Sequence, residues 1–242
     1  MTDDNQFTAI LLEQDGGAVN ASIQTLNDDQ LPDGDVTLAV KYSTLNYKDG
    51  MILAGLGRIV RDYPHIPGID CSGTVIASDS ANFKPGDDVI MTGWRFGELH
   101  WGGLTTKTRV MAEHLVPLPD GMSLEHAMAI GTAGLTAMLA IMTLEEHGLS
   151  PDNKGDVLIT GAAGGVGSIA TAVLSGLGYR VAASTGRAET HDYLTALGAT
   201  SIIDRAELAE APRGPLATER WSGIIDNVGG DHLQAALAVM NP

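Results

Sequence analysis

Residues 157–168 read Val157-Leu158-Ile159-Thr160-Gly161-Ala162-Ala163-Gly164-Gly165-Val166-Gly167-Ser168. A short apolar strand runs into a glycine turn and then into a helix with apolar positions at Ile169, Val173, Leu174 and Leu177. Such a turn sets bare backbone N–H groups and a helix N-terminus against a pyrophosphate. The G-x-G-x-x-G spacing takes the form Ala162-x-Gly164-x-x-Gly167, with an extra glycine at 165. A lone glycine pattern is weak; a preceding strand and a following apolar helix are the context that gives it weight. Ala163, Gly164, Gly165 and Val166 are therefore candidate cofactor-binding residues. The competing reading is a tight strand-to-helix turn without a ligand.

Downstream, strands and helices alternate. Strands are expected at 157–160, 180–184, 201–203 and 223–227. This βαβαβ rhythm implies a parallel, doubly wound sheet. After Asp226-Asn227-Val228-Gly229-Gly230 and one further helix the sequence stops at Asn241-Pro242. Two mononucleotide-binding halves need more strands than that. The expectation is a partial Rossmann domain, incomplete at the C-terminus.

Upstream, the chain is rich in short strands. Residues 7–12 and 21–26 flank Asp15-Gly16-Gly17, a hairpin signal. Pro32-Asp33-Gly34 is a turn before the alternating segment 36–42, and Pro67-Gly68 leads into a strand at 73–77. A turn at Lys84-Pro85-Gly86 precedes another strand at 89–92. Short strands at close spacing suggest a small barrel-like domain. Near residue 122 the rhythm changes: Ser123 and His126 open a helix that runs to about His147. The expected domains are 1–122, a β domain, and 123–242, the nucleotide-binding domain.

Of 242 residues, 44% are hydrophobic, enough for a sizeable core. The net charge of −16 argues against nucleic acid and against anionic membranes, both of which need a basic face. A single cysteine, Cys71, excludes an internal disulfide and any zinc site built from several thiolates. The opening Met1-Thr2-Asp3-Asp4 lacks the features of a signal peptide. The apolar run at 127–144 is interrupted by Gly and Thr, against a membrane span. A soluble cytoplasmic protein is expected.

Several motifs together carry a family resemblance. They are 43–49 (Ser-Thr-Leu-Asn-Tyr-Lys-Asp), 65–75 (His-Ile-Pro-Gly-Ile-Asp-Cys-Ser-Gly-Thr-Val), 92–103 (Thr-Gly-Trp-Arg-Phe-Gly-Glu-Leu-His-Trp-Gly-Gly), 130–139, the glycine turn, and Ser184-Thr185-Gly186-Arg187. The chain resembles the zinc-free branch of the medium-chain dehydrogenase/reductase superfamily, and within it the NADPH-dependent acrylyl-CoA reductase and quinone oxidoreductase group. The resemblance implies a GroES-like β-barrel domain joined to a Rossmann domain, and a homodimer. Zinc enzymes of the superfamily carry a Cys early in the β domain and a His-Glu pair after it. The corresponding places here read Asn46-Tyr47-Lys48-Asp49 and Gly68-Ile69-Asp70, so no metal is expected. Without a Lewis acid to polarise an alcohol or ketone, the chemistry moves to a conjugated double bond or a quinone. Cys71 reads as a small buried residue.

In NAD-binding folds an acidic residue at the end of the second strand bonds the ribose 2′-OH. That strand here ends in Ser184-Thr185-Gly186-Arg187, with no carboxylate. Hydroxyls and a guanidinium suit a 2′-phosphate, so Thr185, Gly186 and Arg187 point to NADPH. By resemblance Arg205 joins them; the alternative is an exposed arginine at a strand end. Related enoyl-thioester reductases use a tyrosine as proton donor, which by resemblance makes Tyr47 the leading catalytic candidate, in contact also with the cofactor; the alternative is a tyrosine packed at a domain edge. Asn46 orients the loop or the nicotinamide side, and Asp49 reads as a helix-start cap. Trp94 and Trp101, in a loop of rings and glycines, are candidates to wall a flat conjugated substrate or, instead, to cover the barrel. Arg58, with Arg61 and Lys48 nearby, is a candidate for the phosphates of a CoA thioester, against the alternative of a solvated surface arginine. The expected activity is reduction of an α,β-unsaturated acyl-CoA, acrylyl-CoA to propionyl-CoA. The alternatives are an NADPH:quinone oxidoreductase and a nucleotide-binding fragment without catalysis.

Overall fold

A computed structural model describes residues 5–209 and 218–241. Residues 1–4 and 242, on which the leader and terminus expectations partly rest, lie outside the described residues. The chain divides into two compact units, Met1–Thr132 and Ala133–Pro242.

The first unit opens with a hairpin of β1 (Gln6–Asp15) and β2 (Ala18–Asn27), in register from Gln6↔Asn27 to Asp15↔Ala18. Gly16 and Gly17 both have positive φ, as a two-residue hairpin turn requires. Five more strands form one antiparallel sheet: β3 (Val36–Ser43), β4 (Asp70–Ser78), β5 (Asp88–Thr92), β6 (Lys107–Val110) and β7 (Leu115–Pro117). Their order is β6-β3-β4-β5-β7. Helix α1 (Tyr47–Leu53) lies between β3 and β4 in sequence. The hairpin is tied to this sheet's loops by Ile10 N–H to Leu104 O and by the reciprocal Leu12–His65 pair. Val36, Leu38, Val75, Val89, Met91 and Phe96 form the buried core. Strands β6 and β7 are too short to have carried a sequence signal.

In the second unit β8 (Asp156–Ile159), β9 (Val181–Thr185), β10 (Ser201–Asp204) and β11 (Trp221–Ile225) make a parallel sheet in the order β10-β9-β8-β11. Successive strand residues point to opposite faces. Val157, Ile159, Val181 and Ala183 pack on one face with side chains of α2 (Leu124–Glu146), α3 (Gly165–Gly176) and α4 (His191–Ala196). Leu158 and Ala182 pack on the other with Ala236 of α5 (Gly230–Leu237). Burial on both faces explains the unbroken apolar run that marks β8. Strand β11 begins two residues earlier than expected, because buried Trp221 pairs with Asp156 across a bulge.

Helix α2 is long and apolar enough to pass for a membrane span by composition, with a mean hydropathy of 1.8 over its best window. Gly131 breaks it: its φ of 48° and ψ of −159° are not helical. Neither piece then reaches the ~20 residues that cross a hydrocarbon core.

Candidate active site

The glycine turn is built from backbone. Gly161 has φ +59°, which turns the chain out of β8. Gly164 is the N-cap of α3 and supplies no side chain to the first helical N–H groups. The amides of Gly165, Val166 and Gly167 therefore lack helical partners and are free to meet an anion. Gly167 serves packing: a Cβ there would lie 2.5 Å from Gly161 O and 2.6 Å from Ala162 Cα. Ala162 N–H donates to Ser184 O, binding the turn to the end of β9.

Beside this turn lies a cavity of ≈ 360 Å3. Ala163, Gly164, Thr185, Gly186, Arg187 and Arg205, all expected to contact the cofactor, line it together. Arg187 donates from Nη2 to Ala163 O at 3.3 Å, so its guanidinium is held across the turn. Arg205 lies over Gly186, whose absent Cβ would sit 3.3 Å from Arg205 Cδ. Sequence reasoning missed His232, on α5, which also lines the cavity and accepts the Arg205 Nε–H at 3.3 Å. Nothing local in the sequence marks it, because it reaches the cavity from the third βα element. Among the described residues no carboxylate lines the cavity. Unpartnered amides and basic side chains fit a phosphorylated dinucleotide.

The other candidates lie in the first unit. Asn46 is the N-cap of α1 and Asp49 its N3 residue, forming a capping box. Asp49, fully buried, accepts from Asn46 N–H at 2.8 Å and Ile69 N–H at 3.1 Å. Burial raises its pKa, and these two bonds oppose the shift. Asn46 Nδ2 donates to Thr44 Oγ1 at 2.8 Å and to Asp70 Oδ2 at 2.9 Å. With its side chain also in the capping box, Asn46 is used to hold the loop. Tyr47, the next residue, points its ring outward at 87% exposure. It is not packed away at an edge.

Asp70 is the hub of this region, and sequence reasoning passed over it. It is fully buried. Thr132 N–H at 2.9 Å, Thr132 Oγ1–H at 2.6 Å, Thr92 Oγ1–H at 2.5 Å and the Asn46 amide all donate to it. The break at Gly131 aims the Thr132 N–H at the carboxylate, and a Cβ on Gly131 would lie 3.1 Å from Asp70 Oδ2. The available signal was an acid inside the apolar segment 66–75, where an unpaired carboxylate is not tolerated.

Lys48 is paired with Glu98 at 2.8 Å, and Arg95 reaches the same carboxylate at 3.5 Å. Its charge is thus committed to the loop at 93–103. In that loop Phe96 is core, and Trp101 Nε1–H donates to Pro64 O at 3.1 Å. These two rings act as cover. Trp94 is exposed and stacks on His114 with centroids 4.5 Å apart. Trp94 and Arg95 both have positive φ, a strained pair at the loop's tip. Arg58 and Arg61 are exposed and make no salt bridge among the described residues. Cys71 is buried and its thiol is pushed up strongly by burial, with Asp70 adding to the shift, so it stays protonated and inert. No group of three or more metal-ligating side chains occurs among the described residues.

A glycine turn on a parallel sheet, a basic cavity beside it and an antiparallel β unit define a dinucleotide-dependent oxidoreductase. Residues 32–120 match the alcohol dehydrogenase GroES-like domain. The chain is 55% identical over 97% of its length to acrylyl-CoA reductase AcuI of Ruegeria pomeroyi, covering 71% of that protein. It matches the YhdH oxidoreductase of Salmonella enterica, solved with NADP, at 52% identity and TM-score 0.92, covering 97% of this chain and 71% of the other. The YhfP protein of Bacillus subtilis, solved with NAD, matches at 44% identity and TM-score 0.92 over the same shares. The chain belongs to the acrylyl-CoA reductase group of the medium-chain dehydrogenase/reductase superfamily.

Proposed function

We propose that the chain is an NADPH-dependent reductase of the C=C bond of an α,β-unsaturated acyl-CoA, with acrylyl-CoA as substrate and propionyl-CoA as product. The observation that carries the choice of NADPH is the cavity lined by Arg187, Arg205 and His232, with no carboxylate among the described residues that line it. A ribose 2′-OH is held by an acid in NAD-binding folds, whereas a 2′-phosphate needs cations. The relative solved with NAD leaves this discrimination to be measured on the present residues. The substrate rests on similarity to AcuI.

When bound, NADPH supplies the hydride for the β-carbon. The free amides of Gly165, Val166 and Gly167 hold its pyrophosphate, and Thr185, Arg187 and Arg205 hold the 2′-phosphate. Reduction at the β-carbon develops negative charge on the thioester oxygen, which hydrogen-bond donors stabilise. Tyr47 donates the proton to the α-carbon from its phenol O–H, which its exposure leaves available. Asn46 acts as a positioning residue, held by Asp70 and the capping box so that Tyr47 starts α1 in one orientation. Arg58 is the candidate for the CoA phosphates, being exposed and unpaired among the described residues.

NADPH oxidation is followed with acrylyl-CoA, crotonyl-CoA and 1,4-benzoquinone. The expected result is fastest turnover with acrylyl-CoA and formation of propionyl-CoA. Turnover with the quinone alone would replace this reading by quinone reduction, and NADPH binding without oxidation by any of the three would leave a nucleotide-binding protein. Tyr47→Phe is expected to lose most of kcat with an unchanged Kd for NADPH; unchanged kcat removes Tyr47 from proton transfer.

A further inference from the structure

We infer that the first unit carries a second ligand site, which takes a small aromatic carboxylate against Arg109. It is independent of the reductase reading above. The cavity measures ≈ 280 Å3. Met91 of β5, Phe96 and Trp101 of the loop at 93–103 and Val110 of β6 give it apolar walls. Close-packed interiors leave few voids larger than a water, and pockets that hold small molecules are mostly apolar with a few convergent polar groups. The space equals that of about nine waters, room for one aromatic ring with a short substituent. Its walls are set in advance. Phe96 and Met91 are almost fully buried. Trp101 is fixed by its Nε1–H bond to Pro64 O and packs against the apolar cluster of the β1–β2 hairpin. His114, also in the lining, is stacked on Trp94.

This cavity is separate from the Asp70 cluster. Across β4 and β5, Asp70 pairs with Thr92 and Cys71 with Met91. Successive strand residues face opposite sides of a sheet. Thr92 turns to Asp70, whereas Met91 turns to the core and to this cavity.

Arg109 sets the chemistry. It is half-buried and lines the cavity. Its Nε–H donates to Thr37 Oγ1 at 3.2 Å, and its guanidinium has no other polar partner among the described residues. Lys107, two residues earlier on the same strand, is paired with Asp28 at 2.7 Å. An arginine taken out of water is ordinarily paired in that way. Its stem is held close to the chain: a Cβ on Gly34 would lie 3.0 Å from Arg109 Cγ. One acid, Asp33, belongs to the lining, but it is exposed and makes no ion pair with Arg109. The terminal amino groups of the guanidinium are left for a planar anion, and a carboxylate matches that fork. The apolar walls select a carboxylate carried on a ring over a small hydrated anion, because only the ring gains from leaving water there.

The test is binding of three probes to the full chain, followed by ligand-observed NMR and calorimetry: benzoate, benzamide (the same shape without the charge) and acetate (the charge without the ring). Benzoate is expected to bind about tenfold more tightly than either of the others. Arg109→Gln is expected to lose that factor for benzoate and to leave benzamide unchanged, which shows that the walls are intact. Arg187→Gln, in the other cavity, is expected to bind benzoate as the wild type does. Met111 also lines the cavity and is 42% exposed, so Met111→Trp fills the space from its rim and is expected to abolish binding of both aromatic probes. No benzoate binding up to ~10 mM, the affinity of a ligand this small at ordinary efficiency per atom, overturns the site. So does equal affinity for benzoate and acetate, benzoate binding unchanged in Arg109→Gln or in Met111→Trp, or benzoate binding lost in Arg187→Gln, which would place the anion in the cofactor cavity.

Discussion

The glycine turn of the second unit and the Asp70 cluster of the first are both polar, tightly packed and close to candidate functional residues, yet they are made by opposite means. The turn uses eight consecutive residues from Thr160 to Gly167, and its working groups are main-chain N–H. The cluster draws Thr44, Asn46, Asp70, Thr92 and Thr132 from four segments, and its working groups are side chains converging on one carboxylate. A backbone site is weakened by adding atoms, because there is no room for a side chain. A side-chain site is weakened by removing them, because buried donors lose their acceptor.

The largest effect expected from this contrast is at Asp70. Asp70→Ala removes the carboxylate to which the Thr132 N–H, the Asn46 amide and two threonine hydroxyls donate. Breaking such an interaction from one side costs about 4 kcal/mol. Thermal or urea unfolding is expected to show that loss. A destabilisation under about 1 kcal/mol, within the range of an ordinary surface change, would mean the cluster is solvated and not the hub of the unit.

Gly167→Ala attacks the other side of the comparison. The added methyl would meet Gly161 O and Ala162 Cα at 2.5 and 2.6 Å, backbone atoms that cannot swing aside. Overpacking of this kind costs about 2 kcal/mol and moves the helix start off the strand. NADPH affinity is expected to fall with stability, since the free amides move with the helix. Gly165→Ala provides the control for the stability loss: its methyl would meet only a side-chain carbon, Ala133 Cβ, at 3.2 Å. Equally small losses of stability from the two substitutions would show that the turn tolerates side chains and is not shaped for close approach.

The same contrast explains what could be read from the sequence. The turn, the parallel sheet and the acid-free end of β9 were legible because each is written in neighbouring residues. Arg187 reaches the cavity from the strand end that predicted it. His232 was invisible because its contact with Arg205 spans 27 positions. Asp70 was read only as a place without a zinc ligand, since its donors lie 22 to 62 positions away. The Trp-rich loop offered rings without telling their direction. Phe96 and Trp101 turn inward because the β unit needs apolar cover, and only Trp94 remains exposed. Asn46 was singled out as a residue orienting the loop or the nicotinamide side, and its amide faces Asp70 and Thr44.

The smallest effect distinguishes the Asp70 cluster from its surroundings. Lys48, the residue after Tyr47, is joined to Glu98 at 2.8 Å, yet its side chain is 44% exposed. A pair so open to water is screened and entropically opposed, so Lys48→Met is expected to destabilise by only about 0.5 kcal/mol. Raising the salt concentration is expected to weaken the wild type by a similar amount and the variant hardly at all. If Lys48→Met instead approached Asp70→Ala in cost, the order of α1 would depend on the ion pair to the Trp-rich loop as much as on the buried carboxylate. If it left stability unchanged but lowered kcat, Lys48 would belong to the machinery around Tyr47. A small, salt-sensitive loss with kcat retained is the outcome that assigns the orientation of Tyr47 to Asp70, Asn46 and the capping box.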